Sequence, residues 1–177
     1  MKFTKLPLKG AYLIELEEFK DERGTFARQF CRNEFRNKIG IEISLCQCNI
    51  SKNFKKNTIR GLHYQKEPFL EPKIVSCLQG SFYDVIVDVR PDSPTYLQWQ
   101  GLELSESNGK MLYIPPNFAH GFQTLQDNTT VYYQLGEFFQ PNCYAGLRWN
   151  DPKIGIIWQE FDSAPIMNER DKNYELL

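Results

Sequence analysis

From residue 41 onward the sequence is a succession of short runs in which apolar and polar residues alternate, each closed by turn chemistry. That rhythm leaves few folds open. Runs over 43–50, 58–65, 73–78, 81–89, 96–104, 110–115, 120–125 and 129–139 each have the length and composition of a strand. Between them stand Gln79-Gly80, Arg90-Pro91-Asp92-Ser93-Pro94, Asn108-Gly109, Pro115-Pro116-Asn117 and Asp127-Asn128. These residues supply the fixed or positive φ and the local side-chain bonds that turns require. Many short strands at near-regular spacing predict an all-β sandwich or barrel.

The flanks are read the same way. Residues 11–19 alternate weakly, Asp21-Glu22-Arg23-Gly24 turns the chain, and 25–30 resumes a strand, so a hairpin is expected with Arg23 at its tip. Arg32–Ile39 has helical spacing, with Phe35 and Ile39 four apart and Gly40 as the stop. Residues 168–172 form a short polar tail, helical in pattern, which is expected to cap the barrel with Trp149, Trp158 and Phe161 packing it down. With 177 residues and no linker composition, one domain spanning 1–177 is expected.

Alternation also shows which faces are unusual. Gln47 and Asn49 oppose Cys46, Cys48 and Ile50; His63 and Gln65 share a side; Asp84 and Asp88 alternate with Tyr83, Val85, Val87 and Val89. Polar groups at such positions fit a small barrel whose lumen is a ligand cavity, or else the solvated face of an ordinary antiparallel sheet.

A net charge of −1 offers no basic field, which disfavours a nucleic-acid partner. No apolar run approaches the roughly 20 residues needed to cross a bilayer, and no leader pattern opens the chain, so a soluble cytoplasmic protein is expected. The five cysteines are odd in number, lack a Cys-x-x-Cys pair and fit free thiols. Cys46 and Cys48 are expected to behave as small buried hydrophobes.

Residues 57–75 concentrate the chemistry. His63 is one of two histidines, and its side chain can exchange protons near neutral pH. Arg60 and Lys73 beside it are anion binders first. Together they suit a phosphorylated substrate whose reacting carbon sits a short distance from its phosphates. If that substrate is a sugar with a ketone, His63 is the candidate base, Lys73 the group facing the enolate oxygen, and Tyr133 an available proton donor on the opposite side. A carboxylate on the far nitrogen of His63 would fix its tautomer, and the pattern leaves Asp171 and Asp84 both available. Metal catalysis needs a histidine cluster; here only His63 and His120 exist, Gln65 stands where a His-x-His pair would continue, and Glu71 is the one carboxylate to assist. His120 is either structural or helps to hold the substrate or its oxyanion.

At these residues the chain resembles the nucleotide-sugar 3,5-epimerase family typified by dTDP-4-dehydrorhamnose 3,5-epimerase. The resemblance is carried by Asp21-Glu22-Arg23-Gly24, Gln47-Cys48-Asn49, Arg60-Gly61-Leu62-His63-Tyr64-Gln65 and Glu71-Pro72-Lys73. It continues through Asp84–Arg90, Ser93-Pro94-Thr95, Ile114-Pro115, Ala119-His120-Gly121-Phe122, Arg148-Trp149-Asn150-Asp151-Pro152 and Arg170-Asp171. It implies a cupin jelly roll (a double-stranded β-helix with short peripheral helices) acting without metal or coenzyme. It also implies a homodimer in which exchanged strands complete the partner's site, and a nucleoside-diphosphate 4-keto sugar as substrate. His63 matches the base, Asp171 its carboxylate, Tyr133 the opposing acid and Lys73 the ketone-facing group. Arg23, Gln47, Asn49, Arg60 and His120 match substrate-contacting positions, with Arg23 and Arg60 on the diphosphate. Arg28, Tyr144 and Phe138-Phe139 stand where the rhamnose enzymes usually carry glutamate, glutamate and Tyr-Tyr. These departures leave the base open among thymine, guanine and cytosine. A 3,4-ketoisomerase and a non-catalytic sugar-nucleotide binder remain as rivals.

Overall fold

Along Ser81–Asp88 the side chains divide cleanly by parity. Phe82 and Ile86 enter one core and Val85 and Val87 another, because successive strand residues point to opposite faces. The computed structural model, which describes residues 1–177, repeats this logic across two antiparallel sheets. The strands are β1 (Lys2–Lys5), β2 (Tyr12–Glu15), β3 (Glu18–Asp21), β4 (Gly24–Ala27), β5 (Gln47–Asn53), β6 (Ile59–Gln65) and β7 (Lys73–Gln79). They continue as β8 (Ser81–Asp88), β9 (Trp99–Ser105), β10 (Lys110–Ile114), β11 (Phe118–Thr124), β12 (Thr129–Leu135) and β13 (Tyr144–Gly146). The helices are α1 (Arg32–Ile39) and the four-residue α2 (Glu169–Lys172).

One sheet runs β1-β2-β10-β7-β12-β5, the other β13-β6-β11-β8-β9, and β3-β4 stands apart as a hairpin. This is the expected all-β jelly roll with short peripheral helices. Between the sheets, Val75, Leu112, Ile114 and Val131 meet Phe82, Ile86, Phe118 and Phe122. Each such side chain contributes about 1.5–3 kcal/mol by leaving water. A second cluster lies on the outer face of the six-stranded sheet, where Phe35 of α1 packs on Ile43, Ile74, Met111 and Tyr113. α1 ends at Gly40 in the left-handed region (φ 70°), whose amide N–H donates to the Arg36 carbonyl while the Ile41 N–H donates to the Phe35 carbonyl. On the far face of the other sheet, Leu62, Val85, Ala119, Leu147 and Ile154 form a third cluster. Trp149 packs on Trp158 and Phe161 beside it, while the tail at 168–172 is held instead by the bonds of Asp171 to His63 and Gly61.

Several boundaries differ from the sequence reading. β5 begins at Gln47 because Ile43 turns into the α1 cluster instead of joining a ladder, and β12 ends at Leu135. β1 and β13 were not expected. Cys46 and Cys48 are exposed, which corrects the expectation that they are buried: β5 is an edge strand, and their side leaves the core.

Candidate active site

β6 and β11 pair so that His63 stands opposite His120. The strands approach too closely for side chains at one point: a Cβ on Gly61, whose φ is +127°, would lie 2.5 Å from the Gly121 Cα. The Gly61 amide N–H is thereby free to donate to Asp171 Oδ2 at 3.1 Å. Asp171 reaches this point from α2, where its own N–H donates to the N-cap Asn168 Oδ1 at 2.7 Å. Its Oδ1 accepts from His63 Nε2 at 2.8 Å. Of the two carboxylates open at the sequence level, Asp171 therefore serves His63, while Asp84 lies 2.5 Å from His120 Nε2. A neutral imidazole bonded this way carries its proton on Nε2 and leaves Nδ1 as the basic nitrogen.

His63 opens on a cavity of about 350 Å³ lined also by Gln47, Asn49, Lys73, Tyr133 and Tyr144. Lys73 is buried, with Nζ 3.2 Å from Glu71 Oε1 and 3.4 Å from the His63 carbonyl oxygen. Tyr133 sits on β12 opposite Asn49 of β5, its ring packed against His120 and Phe122. Burial sets the protonation states. It pushes His63 below the ordinary imidazole value; the Asp171 bond opposes this, and the positive charges of Lys73 and Arg170 add to it. Burial, reinforced by the Asp84 charge, pushes the Tyr133 phenol well up, so it stays protonated as a donor. Burial is the largest single influence on Asp171 and would raise it, but the His63 hydrogen bond and charge, the Gly61 N–H and Arg170 together outweigh it and hold the carboxyl below its usual range. Asp84 is raised by burial, and its Oδ2 finds no partner.

The remaining sequence candidates fall outside the lining. His120 is buried against Tyr133 and bonded to Asp84. Arg60 donates from Nε to Asn53 Oδ1 at 2.8 Å. Arg23 lies on the β3-β4 turn, 84% exposed and paired with Asp21, and a single chain does not bring it to the cavity. Gln65 ties loops together, donating to the Phe69 and Phe138 carbonyls and accepting from the Gln140 N–H. No three His, Cys, Asp or Glu side chains are grouped to hold a metal ion. Phe139 and Arg170 stand out in the sequence only as part of a departure from the family and of a matching segment, with no site role attached; both reach the rim from a loop or the tail, which local pattern does not reveal.

The description of the dTDP-4-dehydrorhamnose 3,5-epimerase family matches residues 5–177. The chain belongs to this family. A dTDP-4-dehydrorhamnose 3,5-epimerase from Sinorhizobium fredii is 39% identical over 173 residues, covering 98% of this chain and 88% of the relative. The crystal structure of the Bacillus anthracis dTDP-4-dehydrorhamnose 3,5-epimerase with TDP and PPi bound superposes with a TM-score of 0.94 at 38% identity, covering 99% of each chain. A 3'-monoepimerase from Streptomyces bikiniensis, in complex with dTDP-quinovose, gives a TM-score of 0.90 at 28% identity, covering 97% of this chain and 85% of that one. The protein is thus an isomerase of the epimerase type, and within this epimerase family its cavity carries an imidazole, a phenol and an ammonium group together.

Proposed function

We propose that this epimerase inverts C3, C5 or both of a nucleoside-diphosphate 4-keto-6-deoxy sugar without a cofactor, in deoxysugar or surface-polysaccharide biosynthesis. His63 Nδ1 removes the proton beside the ketone, the Lys73 ammonium stabilises the enolate oxygen, and Tyr133 returns a proton to the opposite face of the same carbon. Asp171 holds the resulting imidazolium. The observation that carries this reading is that His63, already bonded to Asp171, shares one cavity with Lys73 and with a Tyr133 phenol kept protonated by burial. Gln47, Asn49 and His120 position the sugar, and Arg60 and Arg23 take the diphosphate. Relatives are named for dTDP sugars, which makes thymidine the first base to test, with guanosine and cytidine next.

The active form is a homodimer in which the β3-β4 hairpin of one protomer delivers Arg23 to its partner's cavity. In support, Phe19 and Phe26 of that hairpin are 71% and 72% exposed, an apolar surface without a partner in its own chain. Residues 1–177 act as one domain. No helix is long and apolar enough to cross a membrane, in keeping with a cytoplasmic site of action.

The test is incubation with dTDP-, GDP- and CDP-4-keto-6-deoxy sugars in deuterated water, with products read by NMR. Deuterium at C3 or C5 with the carbonyl kept at C4 supports epimerisation. A 3-keto product would establish a 3,4-ketoisomerase, and binding without exchange a non-catalytic module.

A further inference from the structure

Four side chains close a ring of contacts on the rim of the cavity. Asp171 Oδ1 accepts both from His63 Nε2 at 2.8 Å and from Arg170 Nε at 3.3 Å. The Arg170 guanidinium lies over the Tyr144 ring, 4.8 Å from its centroid, with Nη2 3.5 Å from the phenol oxygen. Tyr144 in turn packs on His63, ring centroids 5.2 Å apart. Tyr174 packs its ring so tightly on Gly146, two residues beyond Tyr144, that a Cβ at 146 would lie 2.1 Å from the ring. That contact pins the tail, and Arg170 with it, onto β13.

We propose that Arg170, seated on Tyr144, is a positioning residue that holds the His63–Asp171 pair in its reactive charge state and aim. This rests on His63 being the base. A guanidinium is permanently charged, so beside the pair it keeps Asp171 ionised and disfavours a second cation on the imidazole. Lys73 also sets its positive charge against the imidazole, but of the side chains facing His63 Arg170 alone bonds the carboxylate that the imidazole uses. Lys73 on β7 has Glu71 as its own carboxylate, whereas Arg170 has only the Asp171 oxygen that His63 also uses. Tyr133 on β12, Tyr144 on β13 and Tyr174 after α2 are phenols raised by burial and remain neutral. His120 on β11 and Asp84 on β8 bond each other.

With two histidines in the chain, imidazole NMR titration of the resting protein reads each separately, and His63→Asn assigns the signals. Arg170→Gln should move the His63 titration to higher pH and leave His120 in place. The acid limb of kcat/KM should follow, giving a loss of about three- to tenfold at pH 5.5 that is recovered by pH 8. Tyr144→Leu should shift it the same way but less, while Arg170→Lys and Tyr144→Phe, which keep the cation or the ring, should restore both readouts. An unmoved His63 titration with activity lost equally at every pH overturns the proposal, and so does a displaced His120 signal, which marks general rearrangement. Because the titration is read without turnover, a His63→Asn enzyme that stays active refutes the base assignment alone.

Discussion

His63 and His120 face each other across paired strands, yet each imidazole bonds through Nε2 to a carboxylate of its own, Asp171 at 2.8 Å and Asp84 at 2.5 Å. The two pairs differ in access: the His63 side chain is 18% exposed on the cavity, the His120 side chain 5%. One pair opens on the cavity, and the other packs behind Tyr133.

Substitution should separate them. His63→Asn is expected to lower kcat by about 10²–10⁴-fold with little change in melting temperature. His120→Ala leaves the buried Asp84 carboxyl unpaired and should cost about 3–5 kcal/mol of stability, read by denaturant unfolding. Full activity in the first variant, or unchanged stability in the second, would contradict the division.

Tyr133→Phe should impair inversion more than exchange. The base on one face can still remove a proton and return a deuteron from solvent, whereas the other face has lost its donor. Parallel measurement of deuterium uptake and stereochemical inversion decides it; equal loss of both argues against donors on two faces.

The pH profile follows from His63 lying below the ordinary imidazole value, chiefly through burial. The neutral form is the base, so activity should persist below that ordinary value and fall only as the buried ring protonates. Asp171 is the group opposing the depression, so Asp171→Asn should move the acid limb further down while reducing kcat. Stability has the same sign. A ring that resists protonation when folded contributes stability above its unfolded value, and this is lost as pH falls through that value toward the folded one. A limb moving upward in Asp171→Asn would refute the account.

Mixing two inactive variants tests the shared site. In a heterodimer of His63→Asn with Arg23→Ala protomers, the Arg23→Ala chain keeps its His63 and receives Arg23 from its partner. About a quarter of wild-type sites should return after unfolding and refolding the mixture together, since half the dimers are mixed and each holds one intact site. No recovery would mean that Arg23 serves its own chain or none.

Gly61→Ala should destabilise by about 2–4 kcal/mol, because the added methyl meets the Gly121 backbone and φ of +127° is unfavourable for an L side chain. A melting temperature equal to wild type would show that β6 and β11 can separate at that point.

Much of this architecture was legible in residue order. Period-two alternation and turn residues located the strands from β5 to β12 and the β3-β4 hairpin, and Phe35, Ile39 and Gly40 located α1. What escaped shares a physical cause. β1 and β13 are short edge strands defined by the neighbour they pair with, Lys2–Lys5 against β2 and Tyr144–Gly146 against β6, so propensity alone carries little signal for them. The choice between Asp171 and Asp84 depended on a contact spanning 108 residues, which local pattern cannot contain. Arg23 was readable as a turn residue, but its distance from the cavity of its own chain was not. Tyr144 stood out only as a departure; its place against His63 and under Arg170 needed the tail folded back.

Asp171 rides on a four-residue helix that follows every strand of both sheets in the chain and returns to β6. A chain folded as far as residue 170 would possess its sandwich, its cavity and its histidine, and still lack the oxygen that steers the imidazole. The aim of the imidazole thus hangs on a few tail residues, which can be loosened without disturbing either sheet.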